Sequence, residues 1–230
     1  MNPKSKIGIG ITTRNRKEVY QTCIKQIAEY TTDYVLYTYE DCSDIPYTDN
    51  CGTERIGVAK AKNKCLKYLY EQGCTHIFLF DDDCFPKDYN WTDKFINSGY
   101  PHLNFIPIKG LDVKILDTIG NVIVTDSVFG CLLYFDVERL GEVYFNEQFE
   151  IYGYEHCELT ERIYRTGKQE YKYISLADVT DYIYAYDYHL KWANELPKHH
   201  NNKTVFRSSI DADEYKALVE ANEKIYHTLI

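Results

Sequence analysis

The chain has 230 residues, a formal net charge of −9 at pH 7, and contents of 44% hydrophobic and 27% charged residues. This length fits one sizeable domain, and the composition is ordinary for a soluble globular protein. The acidic balance argues against a broad surface for binding polyanions, and no apolar stretch is long enough to span a bilayer.

The N-terminus and the cysteines indicate the compartment. Residues 1–6 run directly into a strand pattern and lack the apolar core of a signal peptide. The eight cysteines contain no Cys-x-x-Cys pair, which argues against a zinc ribbon or a redox dithiol. We therefore predict reduced thiols and a cytoplasmic protein, in the cytoplasm of the host cell if the source is a virus.

The first half of the chain alternates strand and helix patterns. Strand patterns cover residues 7–11, 34–39 and 76–80, and helical spacing of apolar residues covers 16–30 and 58–71. This β-α-β-α-β order predicts an α/β fold with a mostly parallel central sheet flanked by helices.

The second half predicts a smaller antiparallel portion. We expect a hairpin of residues 113–116 and 122–124 around a turn at 119–121, then a strand at 129–135. Helices are expected at 153–165 and 211–229, the last with Asp211 as its N-cap. No linker separates the halves, so we expect a single domain over residues 1–230.

Three consecutive aspartates, Asp81, Asp82 and Asp83, follow the apolar run at 76–80. Carboxylates at the exit of such a strand project into the crevice where open α/β sheets bind ligands. The i, i+2 spacing predicts that Asp81 and Asp83 share a hard cation while Asp82 faces away. The alternative is a polar turn between a strand and the next element.

A second acidic pair, Asp41 and Asp44, follows the preceding strand, so both pairs should border one crevice. A nucleotide fits these groups. We expect Asp41 to accept hydrogen bonds from a base, Asp81 from a ribose hydroxyl, and Asp83 to bind Mg²⁺ or Mn²⁺ bridging a diphosphate. Such an ion would offset the charge on a departing nucleoside diphosphate.

Basic residues offer further contacts, each with a plainer interpretation. Lys60, Lys62 and Asn63, at the start of the second helix, help to bind the donor or form a solvent-facing stripe. The segment 189–207 is locally basic and is either a clamp for phosphates or a solvated face.

Five motifs in chain order resemble those of the GT-A nucleotide-diphospho-sugar transferases, especially glycosyltransferase family 2. They are the opening strand and turn at 7–16, the acidic element at 40–44, Ala61-Lys62-Asn63, the Asp-x-Asp metal motif at 80–83, and the acceptor segment at 149–159 with Arg162. Three residues depart from the family pattern. Cys42 replaces a glycine, Cys84 replaces an acidic residue, and His156 stands where the family has the aspartate that acts as the base.

The resemblance implies a Rossmann-like GT-A fold, with a donor half at 1–110 and an acceptor half at 111–230. It implies a metal-dependent, inverting glycosyltransferase that moves a sugar from a nucleotide sugar, a UDP-sugar above all, to a hydroxyl of a glycan, lipid-linked sugar or protein. It assigns His156 as the catalytic base, with Glu155 as the second candidate, and His189 with Asp81 and Asp83 as metal ligands for Mn²⁺ or Mg²⁺. The implied nucleotide-sugar contacts are Thr12, Arg14, Arg16, Asp41, Lys62, Asn63, Asp81 and Asp82.

Several alternatives remain at this level. The basic segment and the lack of a membrane anchor also suit a viral enzyme that glycosylates a hydroxylated DNA base, which the enzyme would flip out of the duplex. The His156 replacement suits a non-catalytic nucleotide-binding module. The string Glu155 to Glu158 also fits an ordinary helix start, where acidic groups favour the dipole. His189 also fits a packed or hydrogen-bonded side chain. The sequence does not define an oligomeric state.

Overall fold

The computed structural model describes residues 5–106, 113–149, 151–185 and 212–230. Its strands are β1 (Ile7–Thr13), β2 (Tyr34–Glu40), β3 (His76–Asp81), β4 (Cys84–Pro86), β5 (His102–Asn104), β6 (Ile115–Ile119), β7 (Val122–Thr125), β8 (Leu132–Asp136), β9 (Ile174–Leu176) and β10 (Ile183–Ala185). Its helices are α1 (Lys17–Tyr30), α2 (Val58–Glu71), α3 (Trp91–Ile96), α4 (Val137–Leu140), α5 (Glu155–Arg165), α6 (Val179–Tyr182) and α7 (Ala212–Leu229).

The central sheet has the strand order β2-β1-β3-β8-β5. Strand β1 pairs in parallel with both β2 and β3, whereas β8 is antiparallel to both β3 and β5. Within this sheet, β1, β2, β3 and β5 therefore run in the same direction, and β8 runs opposite to them. The predicted α/β architecture with a mostly parallel sheet is confirmed.

Successive side chains of a strand point to opposite faces of the sheet, so the hydrophobic core has two layers, one on each face. On β3, Ile77 and Leu79 pack with α2, whereas Phe78 and Phe80 pack with the rings of α3 on the opposite face. On β1, Gly10 faces α2, and a Cβ there would lie 2.8 Å from Cys65 Cβ. Glycine thus lets α2 lie close to the sheet, and both faces are covered as a parallel sheet requires.

The antiparallel portion differs from its prediction in detail. The hairpin is present, but its first strand is β6, and Gly120 at the turn has φ +62°. The strand predicted at 129–135 begins at Leu132. The sequence analysis missed β4, β5, β9 and β10 and the helices α3, α4 and α6, because runs of three to six residues carry too little periodicity to detect.

The C-terminal helix α7 is present, and its predicted N-cap, Asp211, lies outside the described residues. Each of the eight cysteines is a free thiol. Among the residues that the structure describes, no helix is long and apolar enough to cross a bilayer. The cytoplasmic location stays a prediction.

Candidate active site

The acidic groups collect where β1, β2 and β3 end. Thr12 pairs in register with both Tyr39 and Asp81, so the three strands finish at one edge of the sheet. The backbone N–H of Asp41 donates to the carbonyl of Thr13 (2.9 Å) and holds the next loop against this edge. The shared sheet edge expected from the order of the strands is therefore present.

Asp82 does not face away from Asp83. Its side chain is buried, accepts a hydrogen bond from Thr13 Oγ1 (2.6 Å) and forms an ion pair with Arg16. Arg16 also donates from its other terminal nitrogen to Asp83 Oδ2 (2.8 Å). Arg16 therefore joins Asp82 and Asp83, whereas the spacing had suggested that Asp81 and Asp83 act together.

The buried position of the carboxylates at this edge, together with their mutual repulsion, raises their pKa values. Burial raises the pKa of Asp82 to about 7, with a further contribution from Asp83, although Arg16 acts in the opposite direction. Burial also raises the pKa of Asp81, against the effect of Lys62. Another cation placed at this edge would offset the remaining repulsion.

Lys62 is the second cation of the site and is buried. Its Nζ lies 3.0 Å from Asp81 Oδ1 and donates to the carbonyl of Gly130 (2.8 Å), and its side chain is 1% exposed. Burial lowers the pKa of Lys62, but the charges of Asp81 and Glu155 and the hydrogen bond to Asp81 together outweigh burial and raise it, so the amine stays charged. Lys62 is therefore not part of a solvent-facing stripe, whereas Lys60 is exposed.

We expect Lys62→Met to lower the free energy of unfolding by about 2 kcal/mol, because it leaves Asp81 and the Gly130 carbonyl without their buried partner. A third of the Asp81 side chain is exposed, which keeps the loss below that of a fully buried pair. Urea denaturation measures it. The matched control is Lys60→Met, two positions earlier and exposed, which should change the value by less than about 0.5 kcal/mol. Equal effects of the two substitutions would contradict the assignment.

The loop after β2 is held by its own acidic residues. Asp41 accepts from the backbone N–H groups of Ile56 (2.7 Å) and Gly57 (3.0 Å), just before α2. Cys42 has φ +56°, a left-handed conformation that favours glycine. This conformation explains physically why the family pattern has glycine where this chain has Cys42. The two hydrogen bonds from the backbone just before α2 fix the position of Asp41, which is the predicted contact for the nucleobase.

The other residues predicted to contact the nucleotide sugar differ in their surroundings. Thr12 and Arg14 are partly exposed at the end of β1. Asn63 is buried and exchanges hydrogen bonds with the backbone of Phe145 (3.0 and 2.8 Å), and it also donates to Glu147 Oε1 (2.9 Å). Asn63 therefore ties α2 to the loop before α5.

Glu155, which is buried, and His156, which is partly buried, form a pair at the start of α5. His156 Nδ1 lies 3.2 Å from Glu155 Oε1, and Glu155 Oε2 accepts from the backbone N–H of Gly153 (2.7 Å). Burial opposes the charge of Glu155, but the hydrogen bond and charge of His156 outweigh it and lower the pKa of Glu155 to about 2. Because an ionised carboxylate only accepts, Nδ1 carries the proton and Nε2 is the basic nitrogen.

The same contacts hold the proton on His156. Burial lowers the pKa of His156, but Cys157 and Glu155 outweigh burial and raise it well above its usual value of 6.5. The neutral ring, which is the form that accepts a proton, therefore needs a higher pH than in an unperturbed histidine.

Gly130 joins the acidic edge to this pair. Its carbonyl accepts from Lys62, and a Cβ at Gly130 would lie 2.8 Å from His156 Nδ1, so the ring packs on the glycine backbone. The next carbonyl, of Cys131, accepts from the N–H of Asp81 (2.9 Å). The structure thus brings Asp81, Lys62 and His156 to one place, although they are far apart in sequence.

A divalent cation fits this donor set. Arg16 binds Asp83 through Oδ2 and Lys62 binds Asp81 through Oδ1, so each carboxylate has a second oxygen for an ion. Mg²⁺ and Mn²⁺ are held in many sites by one or two carboxylates together with the phosphates of a substrate. Within the described residues, no group of three or more His, Cys, Asp or Glu forms a site by itself. The predicted ligand His189 and the basic segment 189–207 lie outside those residues.

The sequence analysis missed Thr13, Gly130 and Cys131 as parts of this site. Thr13 lies within the opening motif, next to residues that were singled out, so its position was a usable signal. Gly130 and Cys131 act through backbone carbonyls, which leave no mark in side-chain chemistry.

Comparisons with known proteins agree with the fold. No family model matches the chain. An uncharacterized glycosyltransferase of Acanthamoeba polyphaga mimivirus is 25% identical over 190 residues, which cover 68% of this chain and 72% of that protein. S. aureus TarS has a TM-score of 0.56 with 16% identity, over 78% of this chain and 36% of TarS. The mannosyltransferase PcManGT from Pyrobaculum calidifontis, solved with GDP-Man and Mn²⁺, has a TM-score of 0.53 with 15% identity, over 77% of this chain and 56% of the mannosyltransferase.

The chain has the GT-A fold of nucleotide-diphospho-sugar transferases, and the predicted resemblance to proteins of that fold is confirmed. The prediction of a glycosyltransferase agrees with the name of the mimivirus relative. The chain spans about a third of TarS and little more than half of PcManGT.

Proposed function

We propose that this protein is a metal-dependent, inverting glycosyltransferase that transfers a sugar from a nucleotide sugar to a hydroxyl acceptor. One observation supports this above the others. Lys62 bonds both Asp81 and the carbonyl of Gly130, the residue on which the His156 ring packs. A carboxylate site suited to a nucleotide and a candidate base therefore lie side by side, as group transfer requires.

On the donor side, Asp81 and Asp83 would hold a Mg²⁺ or Mn²⁺ ion, which when bound stabilises the charge of the departing nucleoside diphosphate. Arg16 fixes the orientation of Asp83, and Lys62 fixes that of Asp81. The loop containing Asp41 borders the same edge and is the proposed contact for the nucleobase. A UDP-sugar remains the proposed donor.

On the acceptor side, His156 Nε2 would take the proton of the acceptor hydroxyl while its oxygen attacks the anomeric carbon. The bond from that carbon to the diphosphate breaks, and its electron pair leaves with the nucleoside diphosphate. Attack opposite the leaving group inverts the configuration. Glu155 accepts from Nδ1 and so presents Nε2 as the nitrogen that receives the proton.

The pH dependence of kcat/KM should report the proton on His156. The raised pKa of His156 predicts an acid limb above pH 6.5, because only the neutral ring accepts a proton. Glu155→Gln removes a negative charge that stabilises the protonated ring, so the limb should move to lower pH. A pH–rate profile of both proteins measures the shift. An acid limb that stays in place after the substitution would argue against His156 as the titrating base.

The direct test is a thermal-shift panel of nucleotide sugars with and without Mn²⁺, followed by a transfer assay with the stabilising donor. A donor that raises the melting temperature more strongly with Mn²⁺ supports the proposal. If no nucleotide sugar stabilises the protein under either condition, the proposed function is wrong.

A further inference from the structure

Helix α7 lies alongside α5 and runs in the same direction. At the start of α5, a Cβ on Gly153 would lie 3.3 Å from Val219 Cγ2. At its end, Arg165 donates to the carbonyl of Ile230 (3.3 Å). Helix α7, with Ile230 directly after it, therefore contacts both the turn before α5 and the last residue of α5, the helix that carries Glu155 and His156.

The turn that starts α5 has an unfavourable backbone. Gly153 has φ +110° and Tyr154 has φ +65°, and α5 has no side-chain cap at its N-terminus. A tyrosine in the left-handed region is held there by its surroundings, because its Cβ disfavours that conformation. The backbone N–H of Gly153 binds Glu155 Oε2 (2.7 Å), so this turn directly positions the carboxylate that holds His156.

Helix α7 supplies what holds the turn. The fully buried Asn222 donates from Nδ2 to the carbonyl of Tyr152 (3.0 Å). The hydroxyl of Tyr154 donates to Glu223 Oε1 (2.8 Å), and its ring centroid lies 5.3 Å from that of Tyr226. Val219, described above, contacts Gly153. Each residue of the turn from 152 to 154 is therefore contacted by a residue on one face of α7.

We propose that α7 is a positioning element of the active site, in which Asn222 and Glu223 hold the turn at residues 152–154 and thereby fix the Glu155–His156 pair. This inference rests on the proposed function. Asn222 and Glu223 act through the turn and touch neither substrate nor reacting atoms, so they are positioning residues. An unclamped turn would release Glu155 Oε2 and let the imidazole move away from the acceptor hydroxyl.

The test compares Asn222→Ala and Glu223→Ala with Glu223→Gln, which keeps an acceptor for the Tyr154 hydroxyl. The matched control is Glu220→Gln, on the same helix and 58% exposed, where it pairs with the exposed Lys216. We expect both alanine variants to lower kcat at least tenfold, with the affinity for the nucleotide sugar unchanged within twofold. Glu223→Gln should recover most of the activity, and Glu220→Gln should match the wild type.

A second readout does not need activity. NMR titration of His156 should show its raised pKa falling in the alanine variants, because Glu155 no longer holds the ring, and staying in place in Glu220→Gln. Should Asn222→Ala fail to fold, Tyr154→Phe, which removes one hydroxyl, replaces it.

Three results decide between the possibilities. Unchanged kcat and an unchanged His156 titration in the alanine variants would overturn the inference. Equal losses in donor affinity and kcat would also overturn it, because they indicate general damage to the fold. A wild-type protein that transfers no sugar, but whose His156 titration responds to these variants, would support the clamp and overturn the proposed function.

Discussion

His156→Ala should lower kcat by about 10²–10⁴-fold, the range typical for loss of a general base, while the Kd for the nucleotide sugar stays within about twofold. The physical reason is the separation of roles around Gly130. His156 packs on one side of that residue, whereas the carbonyl of Gly130 binds Lys62 and, through it, Asp81 on the donor side. A transfer assay gives kcat, and titration with the nucleotide sugar gives its Kd.

The control for this substitution is His156→Asp, which restores the carboxylate found at this position in the resembled family. It should keep substantial activity and move the acid limb of the kcat/KM profile to lower pH, because an aspartate loses its proton more readily than this histidine. Unchanged turnover in His156→Ala would refute the assignment of the base. If His156→Ala instead weakened binding of the nucleotide sugar and lowered the melting temperature, the role of His156 would be structural.

Asp83→Asn should lower kcat/KM by about a thousandfold. A bound divalent ion contributes several kcal/mol to stabilising a departing diphosphate, and roughly 1.4 kcal/mol corresponds to a factor of ten. The amide also removes the negative charge that binds Arg16 through Oδ2. The measurement is kcat/KM as a function of Mn²⁺ concentration, with the melting temperature recorded in parallel.

The control for Asp83→Asn is Asp93→Asn, an exposed aspartate in the first turn of α3. It should leave both kcat/KM and the dependence on Mn²⁺ unchanged. An Asp83→Asn variant with wild-type activity and the same response to Mn²⁺ would exclude Asp83 as a metal ligand. A variant that melts at a much lower temperature would instead show that the bond to Arg16 is chiefly structural.

Sequence patterns predicted the elements that have enough residues to reveal a period. Helix α2 matches its predicted bounds, and β1 to β3 differ by one or two residues at one end. Because these elements alternate, the sequence also predicted that Asp41 and the aspartates after β3 meet at one edge. Local order along the chain was sufficient for that inference.

Contacts between segments that are far apart in the chain could not be predicted from the sequence. Spacing alone suggested that Asp82 faces away, but the long side chain of Arg16 reaches it from the loop after β1. In the sequence, Lys62 resembles the other lysines on the surface of α2. In the structure it is buried, where it binds Asp81 and the carbonyl of Gly130. A single sequence records which side chains are present, whereas the partner of each charge depends on how the sheet and helices pack.

The position of β8 has a consequence for how the protein is made. This strand comes from the second half of the chain and lies between β3 and β5, which come from the first. On the ribosome, residues 82–131 are synthesised between β3 and β8, so the backbone groups of β3 that pair with β8 have no partner strand until β8 emerges. Neither half should fold alone, and we expect the growing polypeptide to depend on chaperones until β8 emerges.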